Sequence, residues 1–511
     1  TIQAFKNLNE KAYQSKMVIV SNEDSFYSKE ELERFINQAP QSVLIVINEG
    51  QNIFGAPTAN NIAYIKSGKN VVVVRTLPQG LKLAGEPLAF VVARPEIIKE
   101  FHRVRQPFTV NVLDNYVAQE YLKQFGPETI EKTIRTIELN ADASPVRGET
   151  PASDGCPWQP ASNGASLDGL ARGPIKNQNL KPYQPGKGTK ETLSDLAKRV
   201  PGFNLSLVKL SSNENPEILP LQTIEALISK LEGIKNSREA FDYEKELSLL
   251  KEAVADYVQA RSEQILFTHS GSEAILRAVS AFTKEGDKIV MSQFCFIAYK
   301  LASMIKGVTM VEVENRPDFS TDFDALLAKI KEHQPRMVIF VNPSNPLGIV
   351  TDQETLYKFI TDAREVSPET IIIADEAYHE YAEYQADRDG WKYPDLINDF
   401  INKGNKQVIV LKSFSKILGL AGMRAGYIVA APELIGKIGN IQRSKGLIAW
   451  TMSLVRDGVK EEKWIDQRCK ENYENRNYLL NEFKLLKEQY PQFFFISQEG
   501  QASQQVKSRA Q

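Results

Sequence analysis

Cysteine and histidine are scarce in this sequence of 511 residues. It contains three cysteines, Cys156, Cys295 and Cys469, and four histidines. The cysteines lie far apart and no two histidines stand at the spacing of a metal site, so the pattern gives neither a disulfide framework nor a metal motif. Such cysteine usage is typical of a reducing compartment. We therefore expect a cytoplasmic protein without a metal ion.

An excess of charge of one sign is also missing. The 62 lysines and arginines nearly balance the 64 aspartates and glutamates, which leaves a net charge of -2. This balance gives no electrostatic basis for binding nucleic acid or an acidic membrane. No apolar run reaches the length of a membrane-spanning helix, and residues 1–16 are too polar for a signal peptide. The composition is that of a globular protein with a large core, and the length favours about two to four domains.

Short runs of β-branched residues alternate with helical segments in two parts of the chain, which indicates two α/β domains. Residues 1–140 contain the first group of runs and residues 181–497 the second. The runs are 18–20, 43–47, 71–74, 265–267, 288–291, 337–341, 371–373 and 408–411. Residues 141–180 are rich in glycine and proline without periodicity, so we predict a linker there, and we predict disorder in the polar tail at residues 498–511. For the second domain, the alternation predicts a doubly wound, mostly parallel sheet.

The two domains share an internal repeat. The matching segments are 32–36 with 356–360, 48–49 with 375–376, 70–85 with 407–422 and 92–98 with 429–435. The shared positions are largely apolar or glycine, whereas the polar positions differ. Gln79 stands opposite Lys416, and Asn48 stands opposite Asp375. We therefore predict that residues 1–140 form a degenerate half copy of the second domain, which has kept the fold and lost the chemistry.

The most informative stretch is residues 412–424, which begins at the end of an apolar run. Open α/β sheets bind ligands at the carboxyl ends of their strands. A lysine at this place, Lys416, is expected to be desolvated, which lowers its pKa and makes its amine a nucleophile. Ser413, Ser415 and Arg424 are suited to hold a phosphate group. An amine beside a phosphate site is what pyridoxal phosphate requires.

Two further stretches that follow predicted strands have a local explanation as well as a functional one. Residues 270–274 begin a predicted helix, whose first N–H groups favour an anion, although the same pattern is common in a simple helix cap. Residues 342–348 contain two Asn-Pro steps and are typical of a turn, but Asn345 is able to donate to a phenolate oxygen.

An acidic and an aromatic stretch follow two other predicted strands. Asp375 ends an apolar run, where an unpaired carboxylate is costly, and a protonated pyridine nitrogen would supply its partner. The alternative for Asp375 is a helix cap. The aromatic residues within 294–299 are either core residues or a surface on which a flat heterocycle stacks.

In this combination and order, these stretches resemble the fold-type I pyridoxal-phosphate aminotransferases, and they look most like the histidinol-phosphate aminotransferase branch. Residues 180–187 and 210–216 resemble the opening segments of that branch. The resemblance covers about residues 180–460. It implies an α/β fold with a partial small domain, pyridoxal 5'-phosphate as the cofactor, and a homodimer.

The resemblance also assigns chemical roles. It implies that Lys416 forms the Schiff base with the cofactor and then carries the proton transfer. Asp375 is expected to pair with the pyridine nitrogen, and Tyr378 and Asn345 to contact the phenolate oxygen. Asn215 is expected near the substrate.

The remaining contacts implied by the resemblance bind the cofactor. Phe296 is expected to stack on the ring, with Phe294 as the alternative. The residues expected to hold the phosphate are Gly271, Ser272, Glu273 through its backbone, Ser413, Ser415 and Arg424.

The activity implied by the resemblance is the transfer of an amino group between an amino acid, or an amino-alcohol phosphate, and a 2-oxo acid. Decarboxylases and lyases share this scaffold and are a first alternative. A catalytically silent cofactor-binding or interaction protein is a second, which the degenerate residues 1–140 and the partial small domain favour. Small molecules are the expected partners, without nucleic acid or membrane.

Overall fold

The structure of the protein is a computed structural model. It describes residues 17–21, 29–40, 43–48, 61–76, 89–104, 213–233, 242–441, 446–489, 494–496 and 506–508. The chain divides into two compact units, residues 1–105 with 110–182 and residues 106–109 with 183–511. The predicted linker at residues 141–180 lies outside the described residues, and so does Gln79.

The first unit contains a four-stranded sheet in the order β1-β2-β3-β4. Its elements are β1 (Met17–Ser21), α1 (Lys29–Gln38), β2 (Leu44–Asn48), α2 (Ile62–Lys66), β3 (Val71–Thr76), β4 (Ala89–Val92) and α3 (Pro95–Val104). The first three strands are parallel, and β4 runs antiparallel to β3. Leu32 and Ile36 of α1 pack on Ile45, Ile47 and Val71 of the sheet, which forms a small apolar core.

The second unit is built around a seven-stranded sheet in the order β5-β11-β10-β9-β8-β6-β7. The strands of this sheet are β5 (Ile265–Thr268), β6 (Lys288–Ser292), β7 (Thr309–Val313), β8 (Met337–Val341), β9 (Ile371–Asp375), β10 (Val408–Ser413) and β11 (Gly426–Ala430). The helices are α4 (Leu221–Gly233), α5 (Tyr243–Val258), α6 (Gly271–Phe282), α7 (Ile297–Lys306), α8 (Phe323–His333), α9 (Gln353–Val366), α10 (His379–Asp389), α11 (Phe414–Ile417), α12 (Pro432–Gly439), α13 (Ala449–Gly458) and α14 (Glu462–Gln489). Neighbouring strands of this sheet are parallel, except that β11 runs antiparallel to β10 and to β5.

Helices cover both faces of this sheet. In β9, Ile372 and Ala374 pack into an apolar cluster with α5, α8, α9 and α13. The alternate residues, Ile371 and Ile373, pack into a second cluster with α6, α7 and α12 on the other face. Burial on both faces explains why the central strands are continuous apolar runs in the sequence. The doubly wound, mostly parallel α/β fold predicted from the sequence is confirmed.

The four strands of the first unit repeat the strand order and the register of β8 to β11. The pairs Val20–Ile47, Ile45–Val71 and Val74–Val91 correspond to the pairs Phe340–Ala374, Ile372–Val408 and Leu411–Ile428. Asn48 ends β2 opposite Val74, as Asp375 ends β9 opposite Leu411. The backbone pairing therefore follows the same correspondence that the sequence repeat gives.

Two parts of the second unit differ from the sequence-based expectation. In the edge strand β7, Thr309 and Glu312 are exposed, so the strand lacks a clear apolar run. Within the tail for which the sequence predicts disorder, β13 (Val506–Ser508) pairs antiparallel with β12 (Phe494–Ile496). An apolar strand nearby thus gives this short segment backbone partners. Within the described ranges, none of the helices is long and apolar enough to cross a membrane.

Candidate active site

The predicted site residues lie together at the carboxyl ends of the parallel strands of the seven-stranded sheet. Asp375 ends β9 and Ser413 ends β10, while Asn345 lies in the turn after β8. Because β11 runs antiparallel, its first residue, Gly426, pairs with Ser413 at this same edge. Arg424, just before β11, is therefore brought beside residues that lie at the carboxyl ends of parallel strands, where open α/β sheets bind ligands.

Lys416 lies in α11, a single helical turn directly after β10. Ser413 caps this turn, since its Oγ accepts a hydrogen bond of 3.2 Å from the backbone N–H of Ser415. Burial lowers the pKa of Lys416 from its usual value, an effect that Glu214 opposes and the Arg424 charge reinforces. Because a lowered pKa increases the neutral fraction of the amine, the site favours a nucleophilic lysine.

The Tyr378 side chain connects three of the elements at this edge. Asn345 and Asn213 each direct a side-chain Nδ2 at the Tyr378 hydroxyl, at 3.3 Å. The Nζ of Lys416 lies 5.4 Å from the centroid of the Tyr378 ring. Burial raises the pKa of Tyr378, the hydrogen bond from Asn213 opposes this rise, and the Asp375 charge adds to it. The structure therefore brings Lys416, Tyr378 and Asn345 together, as the sequence predicts.

Asp375 is held from two sides at the end of β9. Its side chain is buried, with 7% of the residue surface exposed. The hydroxyl of Tyr299 donates to Oδ2 at 2.9 Å, and the backbone N–H of Ala377 donates to Oδ1 at 3.2 Å. Burial raises the pKa of Asp375 to about 6, against the lowering effect of these two hydrogen bonds, and the charge of Glu376 adds to the rise. The carboxylate is thus mostly ionised at neutral pH and has a defined orientation.

The start of α6 and the start of β11 are in close contact. A Cβ atom added at Gly426 would lie 2.8 Å from the backbone nitrogen of Gly271, so only glycine fits there. The first N–H groups of α6, from Gly271 and Ser272, carry the positive end of the helix dipole. Burial lowers the pKa of the neighbouring Arg424 to about 10, and the charge of Glu273 opposes this shift. A helix start and a guanidinium at one edge form a cradle suited to an anion.

Glu273 has a different contact from the one predicted. Its backbone N–H donates to the Oγ of Ser270 at 3.1 Å, which is the cap of α6. Its carboxylate accepts from the backbone N–H of His269 at 2.6 Å and from the Nε of Arg277 at 3.0 Å. These contacts stabilise the helix start, and the phosphate contact through the Glu273 backbone stays a prediction.

Asn215 forms a hydrogen bond with the turn that carries Lys416. Its Nδ2 donates to the carbonyl oxygen of Ile417 at 3.0 Å, and its Oδ1 accepts from the backbone N–H of Glu217 at 3.0 Å. Gly419 has a φ of +66°, and a Cβ there would lie 2.6 Å from the carbonyl oxygen of Glu217. The segment containing Asn215 therefore packs directly against the turn that carries Lys416.

The two aromatic candidates lie between β6 and α7. Phe296 immediately precedes α7 and is partly buried against the apolar cluster that contains α6 and α7. Phe294 is more exposed and lies 6.3 Å, between ring centroids, from Phe319. Phe296 is more buried than Phe294, which favours Phe296 as the aromatic residue nearer the sheet.

Sequence reasoning missed three contacts. Asn213 belongs to residues 210–216, which resemble an opening segment of the histidinol-phosphate aminotransferase branch, but only the structure shows its contact with Tyr378. Tyr299 lies in the aromatic stretch, and its hydrogen bond spans from α7 to the end of β9, across β8 in the sheet. The third is an ion pair on neighbouring strand ends, with the Nζ of Lys412 at 2.8 Å from the Oε2 of Glu376. No local sequence pattern predicts these contacts, because each of them joins two segments that are distant in the sequence.

The comparisons with known proteins agree with this geometry. The family model for aminotransferase class I and II matches residues 206–501, more than half of the chain. A histidinol-phosphate aminotransferase from Moorella thermoacetica is 29% identical over 308 residues, covering 60% of this chain and 74% of the relative. Histidinol-phosphate aminotransferase 1 from Bacillus cereus is 29% identical over 329 residues, covering 63% of this chain and 80% of the relative.

Two solved structures share the fold. Histidinol-phosphate aminotransferase from Sinorhizobium meliloti in complex with pyridoxal-5'-phosphate has a TM-score of 0.51 and 20% identity, covering 61% of this chain and 78% of that one. Aspartate aminotransferase from Thermus thermophilus with maleate has a TM-score of 0.52 and 19% identity, covering 64% of this chain and 82% of that one.

A doubly wound sheet with a partly buried lysine, a buried carboxylate and a helix start at the carboxyl ends of its strands is typical of fold-type I pyridoxal-phosphate enzymes. The chain belongs to the aminotransferase class I and II family. Its relatives include proteins named histidinol-phosphate aminotransferase. The predictions of the family, the enzyme class and the cofactor are confirmed.

The residues at this edge fit pyridoxal 5'-phosphate. Lys416 supplies an amine whose pKa burial lowers, and Asp375 supplies a buried carboxylate that is held in place by donors on both oxygens. The close approach of Gly426 to Gly271 leaves no room for a side chain between them, so the start of α6 lies directly against the start of β11. An amine, an acid and an anion cradle are the three protein groups that this cofactor requires.

Proposed function

We propose that this chain transfers an amino group between an amino acid, or an amino-alcohol phosphate, and a 2-oxo acid, with Lys416 as the residue that binds the cofactor covalently. The observation that carries the proposal is the position of the Lys416 Nζ on the turn after β10, 5.4 Å from the centroid of the Tyr378 ring, where burial lowers the pKa of the amine. When bound, the cofactor supplies an electron sink that acidifies the substrate proton to be removed. The Lys416 amine would move that proton, first as general base and then as general acid.

We assign the other residues by the groups they present. Asp375 faces the pyridine nitrogen and stabilises its protonated form. Tyr378, oriented by Asn345 and Asn213, contacts the phenolate oxygen. Phe296 stacks on the ring. The residues that hold the phosphate are Gly271, Ser272, Ser413, Ser415 and Arg424.

Asn215 has a positioning role in this proposal. Its hydrogen bond to the carbonyl oxygen of Ile417 fixes the turn next to Lys416, and the same segment presents Asn213 to Tyr378. We therefore place this segment at the substrate side of the site, which is consistent with the sequence-based expectation for Asn215.

For the substrate, we propose an amino-alcohol phosphate of the histidinol-phosphate type. The support is the similarity to the histidinol-phosphate aminotransferases of Moorella thermoacetica and Bacillus cereus. We further propose that the protein acts as a homodimer in the cytoplasm, as the resemblance to the family implies.

Product analysis tests this function. The cofactor-loaded protein is incubated with 2-oxoglutarate and a panel of donors that contains histidinol phosphate, histidine, aspartate and an aromatic amino acid. We expect glutamate to appear with at least one donor, and most rapidly with histidinol phosphate. Release of carbon dioxide or of ammonium without glutamate would contradict amino transfer and indicate a decarboxylase or lyase. A cofactor absorbance band that no donor shifts would indicate a silent binding protein.

A further inference from the structure

Tyr299 is a fully buried tyrosine whose hydroxyl reaches the carboxylate of Asp375. It lies in the first turn of α7, has 0% of its surface exposed, and donates a hydrogen bond of 2.9 Å to Oδ2. The helix follows β6, whereas Asp375 ends β9, and β8 lies between these two strands in the sheet. Apolar packing alone does not require a hydroxyl at this position, because phenylalanine has the same ring.

The direction of this hydrogen bond follows from the protonation state of the Tyr299 phenol. Burial raises the pKa of Tyr299 well above its usual value, and the Asp375 charge raises it further, so the phenol keeps its proton. Tyr299 is therefore the donor and Asp375 the acceptor. A donor to a carboxylate stabilises the ionised form and lowers its affinity for a proton.

Other ionisable groups around Asp375 do not replace this donor. Burial raises the pKa of the Cys295 thiol and of the Tyr393 phenol, and Asp375 adds to both shifts, so both groups are neutral at pH 7. Burial likewise raises the pKa of Tyr378. Glu376 carries a like charge, but it is paired with Lys412 at 2.8 Å. Among the described residues, the Asp375 carboxylate accepts one side-chain hydrogen bond, from Tyr299, and one from the backbone N–H of Ala377.

We propose that Tyr299 is a positioning residue that keeps the proton shared by Asp375 and the cofactor's pyridine nitrogen on the nitrogen. This inference rests on the proposed function, in which Asp375 faces that nitrogen. Two bases then compete for one proton. With the Tyr299 donor, the carboxylate is the weaker base and the ring is the cation. Without the donor, Asp375 becomes the stronger base, the proton moves to its oxygen, and the ring becomes neutral.

The location of the proton can be measured directly. The protein is loaded with pyridoxal phosphate carrying nitrogen-15 in the ring, and the nitrogen chemical shift is recorded at pH 7 for the wild type and for Tyr299→Phe. We expect the wild type to give the shift of a protonated ring nitrogen and Tyr299→Phe to move toward the unprotonated value. Loss of one charged hydrogen bond corresponds to about one pKa unit or more.

Tyr427→Phe is the matched control. Tyr427 is buried to a similar degree, and its hydroxyl has no hydrogen-bond partner among the described residues. We expect its ring-nitrogen shift to match that of the wild type. A general loosening of the core would affect both variants, whereas the proposed role affects only Tyr299→Phe.

A second variant covers the case in which Tyr299→Phe does not fold. Site-specific 4-aminophenylalanine at position 299 keeps the ring and replaces the hydroxyl with a weaker donor, so the ring-nitrogen shift at pH 7 should move part of the way toward the unprotonated value. An unchanged nitrogen shift in Tyr299→Phe, or in the aminophenylalanine protein, would overturn the inference. Failure of the wild type to bind the labelled cofactor would instead overturn the proposed function.

Discussion

Lys412 and Glu376 form an ion pair of 2.8 Å, with side chains that are 5% and 4% exposed. Glu376 is the residue after Asp375, and its charge raises the pKa of that carboxyl group. A buried charge with no partner is strongly unfavourable. The pair therefore allows an acidic residue to lie next to the carboxylate that the cofactor requires.

Lys412→Met should destabilise the protein. The substitution leaves Glu376 buried without its partner, which costs about 3–5 kcal/mol of unfolding free energy. Urea unfolding at pH 7 measures the change. Lys406→Met is the control, because Lys406 and Glu433 form a pair of the same length, 2.8 Å, with side chains 64% and 63% exposed. That control should leave stability nearly unchanged, because solvent screens an exposed pair, and equal losses in the two variants would contradict the account.

Ionisation of Asp375 should make the cofactor-free protein less stable as pH rises. Its folded pKa is about 6 and its usual value is 3.8, so between about pH 4 and pH 6 the folded state binds more protons than the unfolded state. Stability therefore falls across this window, by up to about 3 kcal/mol, and is constant with respect to this group above it. Urea unfolding of the wild type and of Asp375→Asn from pH 4 to pH 8 isolates the effect. Parallel curves for the two proteins would show that Asp375 is not shifted.

Asp375→Asn should retain the cofactor and lose turnover. An amide is neutral, so it cannot hold the pyridine nitrogen in its protonated form. Removal of such a fixed charge is expected to lower kcat by about 100-fold or more. Steady-state rates with the preferred donor, together with the cofactor content after gel filtration, separate the two effects. A variant with normal kcat would exclude the assigned role.

Gly419→Ala should weaken the turn that carries Lys416. A side chain at a φ of +66° is strained, and its Cβ would lie 2.6 Å from the carbonyl oxygen of Glu217. We expect a loss of about 1–3 kcal/mol in stability and a weaker affinity for the cofactor. Gly436→Ala is the control, because a Cβ there meets no atom within 4 Å and α12 continues through it. It should leave cofactor affinity unchanged and raise stability by about 0.5–1 kcal/mol. Equal affinities in the two variants would contradict a role for the turn.

The predictability of the fold follows from where the apolar residues lie. β8, β9 and β10 are buried on both faces, so each is a continuous apolar run that the sequence shows directly. β7 lies at the sheet edge and has no such run. The antiparallel direction of β11 is a property of its partners, and the run Gly426–Ala430 contains no signal for it.

In the site, too, some features follow from local sequence patterns and others depend on long-range packing. Lys416, Asp375 and Tyr378 follow strand ends, so strand prediction places them at one edge. The contact of Tyr299 with Asp375 depends on the packing of α7 against the sheet, which no local pattern encodes. The helix-start pattern at Glu273 fits both an anion contact and a cap, and only the structure shows its capping contacts.

The first unit has an amide where the second unit has the carboxylate of Asp375. Asn48 occupies in β2 the register position that Asp375 occupies in β9. An amide at that place offers no counter-charge for a pyridine nitrogen. We therefore predict that residues 1–140 keep the strand arrangement without binding the cofactor covalently, and that Lys416 is the single attachment site of the chain.

Borohydride reduction of the cofactor-loaded protein, followed by peptide mapping, tests this claim directly. Reduction fixes the cofactor on whichever lysine holds it, so the modified peptide identifies the attachment site. We predict one pyridoxyl-lysine, at Lys416, and its loss in Lys416→Ala while the variant still folds. A modified lysine within residues 1–140, such as Lys82, or a label that persists in Lys416→Ala would contradict the account.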